Sequence, residues 1–302
     1  MNSITSSYSH ALDATGTALV LGGGGSTGNA WMIGVIAGLY ESGLDVTTAD
    51  LTVGTSAGST AAAQFAGASP SALFAATIAF APPARPGATG AVANQLERTN
   101  TVIAASADLA DMRRRMGAAA LGREAASDGT WQDQWRATVA SRLPSQQWPE
   151  RRVLITAVDA ETGDGVTFDR SSGVELADAI AASCSSGLPF TIRDRKYIDG
   201  GYRVNADNAD LATGYARVLV LSPFGGRSLT PVEWGTHLSN QVEALRASGS
   251  SVATIFPGTD SAHLFGVNGM DLLLRPAAAQ AGYDLGVARA QEIAEFWEAD
   301  AG

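Results

Sequence analysis

The stretch that most constrains this chain runs from Leu19 to Gly58. It begins Leu19-Val20-Leu21, passes through Gly22-Gly23-Gly24-Gly25-Ser26-Thr27-Gly28, and continues as an apolar run rich in small residues, Ala30–Tyr40. It closes on Leu51-Thr52-Val53-Gly54-Thr55-Ser56-Ala57-Gly58. Short apolar runs punctuated by glycine turns predict a strand, a buried helix, a second strand, and a second sharp turn into a helix. The first N–H groups of any helix lack a partner inside it. One turn therefore offers donors above the strand ends, and the other offers the hydroxyl of Ser56.

Ser56 is the centre of a G-x-S-x-G. In such an elbow the nucleophile is held in a strained backbone conformation with its Oγ exposed between strand and helix. Gly54 and Gly58 let neighbouring backbone pass close by. Leu51–Val53 reads as the strand and Ala57–Gly67 as the helix.

The glycine turn admits three readings besides a plain tight turn. As a dinucleotide fingerprint, Gly23, Gly25 and Gly28 fit G-x-G-x-x-G, but the next strand ends in Gly54-Thr55-Ser56 where an acid for the ribose would stand. As a phosphate loop it lacks Gly-Lys-Ser/Thr. As an oxyanion hole it needs only free N–H groups on small residues, here Gly23, Gly24 and Gly25, joined by that of Ala57. The third reading is favoured. A serine also needs a base, and Arg195–Asp199 followed by Gly200-Gly201 places Asp199 at the end of a short strand, although Asp-Gly is equally an ordinary turn pair.

Together these pieces resemble the patatin-like phospholipase family, over about Leu19 to Asn205. The resemblance is carried by GGGxxG (Gly23–Gly28), GTSAG (Gly54–Gly58) and DGG (Asp199–Gly201), with Val153–Phe168 and Ala179–Phe190 similar to connecting segments. It implies a Ser56–Asp199 dyad that cleaves carboxylic esters of lipids through an acyl-enzyme, with the glycine loop as oxyanion hole. It also implies a lipid or ester substrate and transient contact with a membrane surface. One departure stands out: the family usually has a basic residue just before the last glycine of its loop, and here that residue is Thr27.

Composition narrows the alternatives. A net charge of −10 argues against nucleic acid and against electrostatic docking on anionic lipid. A single cysteine, Cys184, excludes an internal disulfide and thiolate clusters. The scattered carboxylates and histidines lack metal-ligand spacing, so neither metal nor cofactor is expected. No apolar run reaches the ~18–20 residues of a spanning helix. Residues 1–17 lack the basic and apolar regions of a signal peptide and read as a flexible leader, with the cytoplasm as the expected compartment.

Further along, Ser71–Phe80 reads as a short helix, Ala81–Gly90 as a proline-rich hinge, and residues 91–143 as an all-helical cap containing Arg113-Arg114-Arg115, Trp131 and Trp135. Strands are expected at Arg152–Val158, Val166–Phe168, Val218–Leu221 and Ser251–Phe256, and helices at Val174–Ala182, Pro231–Ala247 and Ala277–Glu298. The alternation indicates an α/β fold, with a mostly parallel central sheet covered by helices on both faces. Residues 18–302 are expected to form one domain, and the sequence leaves the oligomeric state open. Two rival functions stay in view. The order Ser56…Asp199…His263 fits an α/β-hydrolase triad, although no strand precedes His263. A catalytically silent lipid-binding protein on the same fold is the other, with Thr27 as its hint.

Overall fold

The computed structural model describes residues 14–81, 89–127 and 130–299. Strand β1 (Thr17–Leu21) is buried from Ala18 onward and lies inside the sheet, between β2 (Leu51–Gly54) and β7 (Arg217–Leu221), parallel to both. The other strands are β3 (Arg152–Asp159), β4 (Gly165–Phe168), β5 (Phe190–Ile192), β6 (Arg195–Asp199) and β8 (Ser251–Ile255). Their order is β5-β6-β3-β2-β1-β7-β8, with β4 also paired to β3. The block β3-β2-β1-β7-β8 is parallel throughout, whereas β4, β5 and β6 are joined by antiparallel pairing. Such a sheet, buried on both faces, suits the unbroken apolar runs of its central strands.

The helices are α1 (Gly25–Glu41), α2 (Ala57–Gly67), α3 (Pro70–Ile78), α4 (Thr89–Ala104), α5 (Leu109–Glu124), α6 (Trp131–Ala140), α7 (Leu176–Ser183), α8 (Leu238–Ala247) and α9 (Arg275–Glu298). Leu19, Leu21, Ile155 and Leu221 face one core with side chains of α1, α2, α7 and α9. Ala18, Val20, Val53 and Val220 face the other, with α8 and the 3₁₀ turn Ala209–Ala212. A third cluster seats Met112 and Met116 of α5 on Val158 and Ile198.

Helices α1 and α9 meet backbone to backbone. A Cβ on Gly34 would stand 2.0 Å from the Ala279 carbonyl oxygen, and one on Gly38 2.4 Å from that of Tyr283. The contact is reciprocal: Gly282 faces the Trp31 carbonyl at 2.2 Å and Gly286 that of Val35 at 2.3 Å.

Several expectations change in detail. Thr17, placed in the leader, begins β1, and residues 1–13 lie outside the described residues. Most of the hinge, residues 82–88, also lies outside them. The segment 91–143 resolves into α4, α5 and α6, and Trp135 of α6 donates to the Ala181 carbonyl of α7. Pro231–Ala247 is not one helix. A 3₁₀ turn at Val232–Trp234 ends at Gly235, whose φ of 65° breaks the helical path, and α8 starts at Leu238. Trp234 instead packs with the α5 cluster. Strand β5 was not anticipated.

Candidate active site

Register brings the two candidate residues together. At its end, β2 pairs Gly54 with Ile155 of β3, while β6 runs antiparallel along β3 and pairs Asp199 with Ala157. Ser56, two residues beyond Gly54, thus comes up beside the end of β6, and its Oγ donates to Asp199 Oδ2 at 3.0 Å. Ser56 has φ 51° and ψ −114°. A non-glycine residue there carries strain of about 1–3 kcal/mol. Its N–H donates to the Ser183 hydroxyl at 2.9 Å, which ties the strained residue to the end of α7.

Asp199 is 8% exposed and sits inside a fixed frame. Its Oδ1 accepts from the Gly201 N–H at 2.8 Å, and its own N–H donates to the Ser185 carbonyl at 3.0 Å. Burial pushes its carboxyl up to about 6, against the pull of the Gly201 N–H and the Ser56 hydroxyl. A carboxylate so shifted is a better base than an ordinary aspartate. Gly200 admits no side chain, because a Cβ would stand 2.1 Å from Thr156 Oγ1. Beneath the pair, Asn208 Nδ2 donates to Thr55 Oγ1 at 3.0 Å and to the Gly200 carbonyl at 2.9 Å, linking the serine turn to the aspartate turn.

The glycine loop departs from expectation at one position. The Gly23 N–H donates to the Ala206 carbonyl at 2.8 Å, so this donor is already committed. The N–H groups of Gly24, Gly25 and Ala57 have no partner among the described residues. Gly23 still borders the serine, since a Cβ on it would lie 3.6 Å from Ser56 Cβ. Gly25 has φ 66° and lies under the Gly269 carbonyl, which would be 2.6 Å from a Cβ. Thr27 is buried, with its N–H on that same carbonyl at 3.0 Å. Gly28 and Gly24 both pack on Pro223, and Gly54 and Gly58 let α2 start hard against the sheet: a Cβ on Gly58 would be 1.9 Å from the Leu21 carbonyl oxygen.

His263 is exposed, and its Nδ1 is engaged with the carbonyl of Asp260 in its own 3₁₀ turn. Both oxygens of Asp199 are taken, by Ser56 and by Gly201. His237 precedes α8 and its Nε2 meets the Thr230 carbonyl at 2.9 Å. Within the stretch Ala179–Phe190, Ser185 holds Asp199 through its carbonyl, Ser186 is exposed, and Ser183 is the one that touches Ser56. The Cys184 thiol lies near Ser59 and Thr60, and burial pushes it up to about 11, which disfavours the thiolate.

A second buried acid had no signal beyond the polar run Asn205–Asn208. Asp207 is 1% exposed, its Oδ1 has no hydrogen-bond partner, and this oxygen would stand 2.3 Å from a Cβ on Gly22. Burial pushes its carboxyl up to about 7, offset in part by the Ser222 hydroxyl.

No curated protein sequence matches the chain. Among solved structures, the type III effector ExoU is similar at 14% identity and a TM-score of 0.39, covering 92% of this chain and 53% of its own. VipD from Legionella pneumophila is similar at 11% identity and a TM-score of 0.42, covering 93% and 67%. This chain thus spans about half the length of ExoU. The family model for patatin-like phospholipases matches residues 19–212, a span that contains the glycine turn, Ser56 and Asp199. The chain belongs to the patatin-like phospholipase family.

Proposed function

We propose that the protein is a serine acyl hydrolase that cleaves carboxylic esters of lipids, phospholipids among them. The single observation that carries this reading is the 3.0 Å hydrogen bond from Ser56 Oγ to a buried carboxylate with no histidine between them. Ser56 Oγ attacks the ester carbonyl as its proton passes to Asp199 Oδ2. The carbonyl oxygen, now negative, is received by the free N–H groups of Gly24, Gly25 and Ala57, each such donor being worth roughly 2.7–4 kcal/mol. Collapse of the tetrahedral intermediate expels the alcohol, which takes the proton from Asp199 and leaves an acyl-Ser56. Water, giving its proton to Asp199, then attacks the acyl carbonyl, and the Ser56 Oγ–acyl bond breaks as Oγ takes that proton back from Asp199, freeing the fatty acid and restoring the pair.

The surroundings suit a lipid interface. Val267, Met270, Leu272 and Leu273 are exposed apolar side chains on the turns that follow His263. The same segment supplies Gly269, whose carbonyl covers Gly25. Contact of this rim with a membrane surface would bring the ester to the glycine loop without a spanning segment. Among the described residues no helix is long and apolar enough to cross a membrane.

Fluorophosphonate labelling and hydrolysis of a phospholipid, measured side by side, test the assignment. Ser56→Ala should abolish labelling, and Asp199→Asn should lower hydrolysis by about 10³-fold or more. His263→Ala should keep both. Because Asp199 must be ionised to accept the proton, the rate should fall about tenfold per pH unit as pH drops below about 6. Persistent labelling of the folded Ser56→Ala protein, or loss of activity in a folded His263→Ala protein, would overturn the dyad.

A further inference from the structure

Beside the candidate site, α4 and α5 enclose a cavity of about 300 Å³ lined by Thr99, Val102, Met116, Arg98, Arg123 and Tyr202, among others. Its apolar floor is ordinary for a lipid enzyme. Its two guanidinium groups are not. The chain carries a net charge of −10, yet among the described residues neither Arg98 nor Arg123 meets a carboxylate. Glu97 lines the same cavity and forms no ion pair with either. Arg98 uses one N–H on Gln95 Oε1 at 2.8 Å. Arg123 is half-buried and turns its Nε and one Nη toward the Gly187 carbonyl, which leaves the rest of its fork unused. The two are near enough for Arg98 to act with burial in holding the Arg123 guanidinium below its ordinary value. Two cations kept together without a counter-charge are the donor set of an anion site.

Tyr202 joins this cavity to the candidate site. Its backbone follows Gly201, the residue that holds Asp199, and its hydroxyl accepts from Gln95 at 3.0 Å and donates to the Ser186 carbonyl at 3.3 Å. The charges of both Asp199 and Arg123 act on that hydroxyl. An anion lodged between the arginines would therefore lie one side chain away from the ester-cleaving pair.

We propose that this cavity is a phosphate subsite, in which Arg98 and Arg123 receive the phosphate of a lipid head group while the ester reaches Ser56. The assignment rests on the acyl-hydrolase reading for its substrate but not for its binding chemistry, and the test separates the two. Binding is measured on the Ser56→Ala protein with a short-chain phosphatidic acid, the diacylglycerol of the same chains, and inorganic phosphate alone. The phosphatidic acid should bind at least about tenfold more tightly than the diacylglycerol, and Arg98→Gln or Arg123→Gln should remove most of that preference. Since Arg123 also steadies the Gly187 carbonyl, the exposed Arg98 is the decisive variant. Added salt should weaken the preference in parallel. Inorganic phosphate binding as tightly as the lipid, with the same dependence on Arg98, would keep the anion site and reassign its source to free phosphate. Equal binding of the two lipids, or a preference that survives both substitutions, would overturn it. A wild-type protein that hydrolyses nothing, yet keeps the lipid preference, would remove the hydrolase reading alone.

Discussion

The two sides of the site are built by different means. On the Ser56 side, α1 and α9 meet through Gly34, Gly38, Gly282 and Gly286 with main chain touching main chain, and α2 is pressed onto β1 at Gly58. On the helical side, α4, α5 and α6 reach the site loops with long side chains. Gln95 donates to the Ser186 carbonyl, Arg123 to that of Gly187, and Arg113 to that of Arg203. Gln132 clamps the backbone of Thr191 at the sheet edge with two bonds. Main chain comes as close there at Gly117, against the Ala160 carbonyl, and at Gly163, where a Cβ would stand 2.9 Å from the Arg114 backbone nitrogen. Main-chain contact leaves no adjustable atoms, whereas a side-chain tether can lengthen, swing or be replaced. The first side fixes where Ser56 stands; the second can reshape a pocket without disturbing it.

This contrast is open to attack by substitution. The largest effect is expected from Gly38→Val, whose Cβ alone would meet the Tyr283 carbonyl at 2.4 Å. Separating the two helices should cost more than about 4 kcal/mol in denaturant unfolding, or prevent folding altogether. A variant as stable as the parent would mean the helices can slide, and the contrast would fail.

Asp207 gives the next effect, because it asks whether the tight side also excludes water. Its carboxyl stands at about 7 in the folded protein against an ordinary 3.8. The folded state therefore keeps a proton that the unfolded chain has lost, so stability is fully present below about pH 4 and drains away as pH rises through 7. Asp207→Asn has no proton to release. Its stability relative to the parent should improve by about 2–4 kcal/mol between pH 4 and pH 8. A difference that stays constant with pH would indicate that solvent reaches the group.

Gln132→Ala probes the other side and should do least. Removing two neutral bonds at the sheet edge should cost about 1–2 kcal/mol, with labelling of Ser56 unchanged. A loss as large as that of Gly38→Val would place α6 inside the same rigid unit as α1.

The same division marks what could be read from the sequence. Ser56 and Asp199 were legible because an elbow and a strand-end turn are local devices with glycines at fixed offsets. The parallel strands were legible because burial on both faces leaves continuous apolar runs. The antiparallel path of β5 and β6 was not, since β5 is three residues long and owes its existence to its partner. Nor could local sequence reveal that the Gly23 N–H is claimed by Ala206, which is far away in the chain. The break at Gly235 was missed because the apolar spacing on either side suits a helix, and a single residue with φ 65° overrides it. Ser183 lay in a stretch already singled out, but only the fold could choose it over Ser185 and Ser186 as the partner of the Ser56 N–H.

The wide spacing of the pair has a consequence for timing. Ser56 precedes Asp199 by 143 residues, and β6 reaches β2 only by way of β3. During synthesis the serine emerges long before its partner, as an ordinary hydroxyl with no carboxylate to accept its proton. The glycine stripe of α1 stays uncovered longer still, until α9 has been made. Under the proposed acyl-hydrolase function, a growing chain holds no complete Ser56–Asp199 pair until β6 has joined β3.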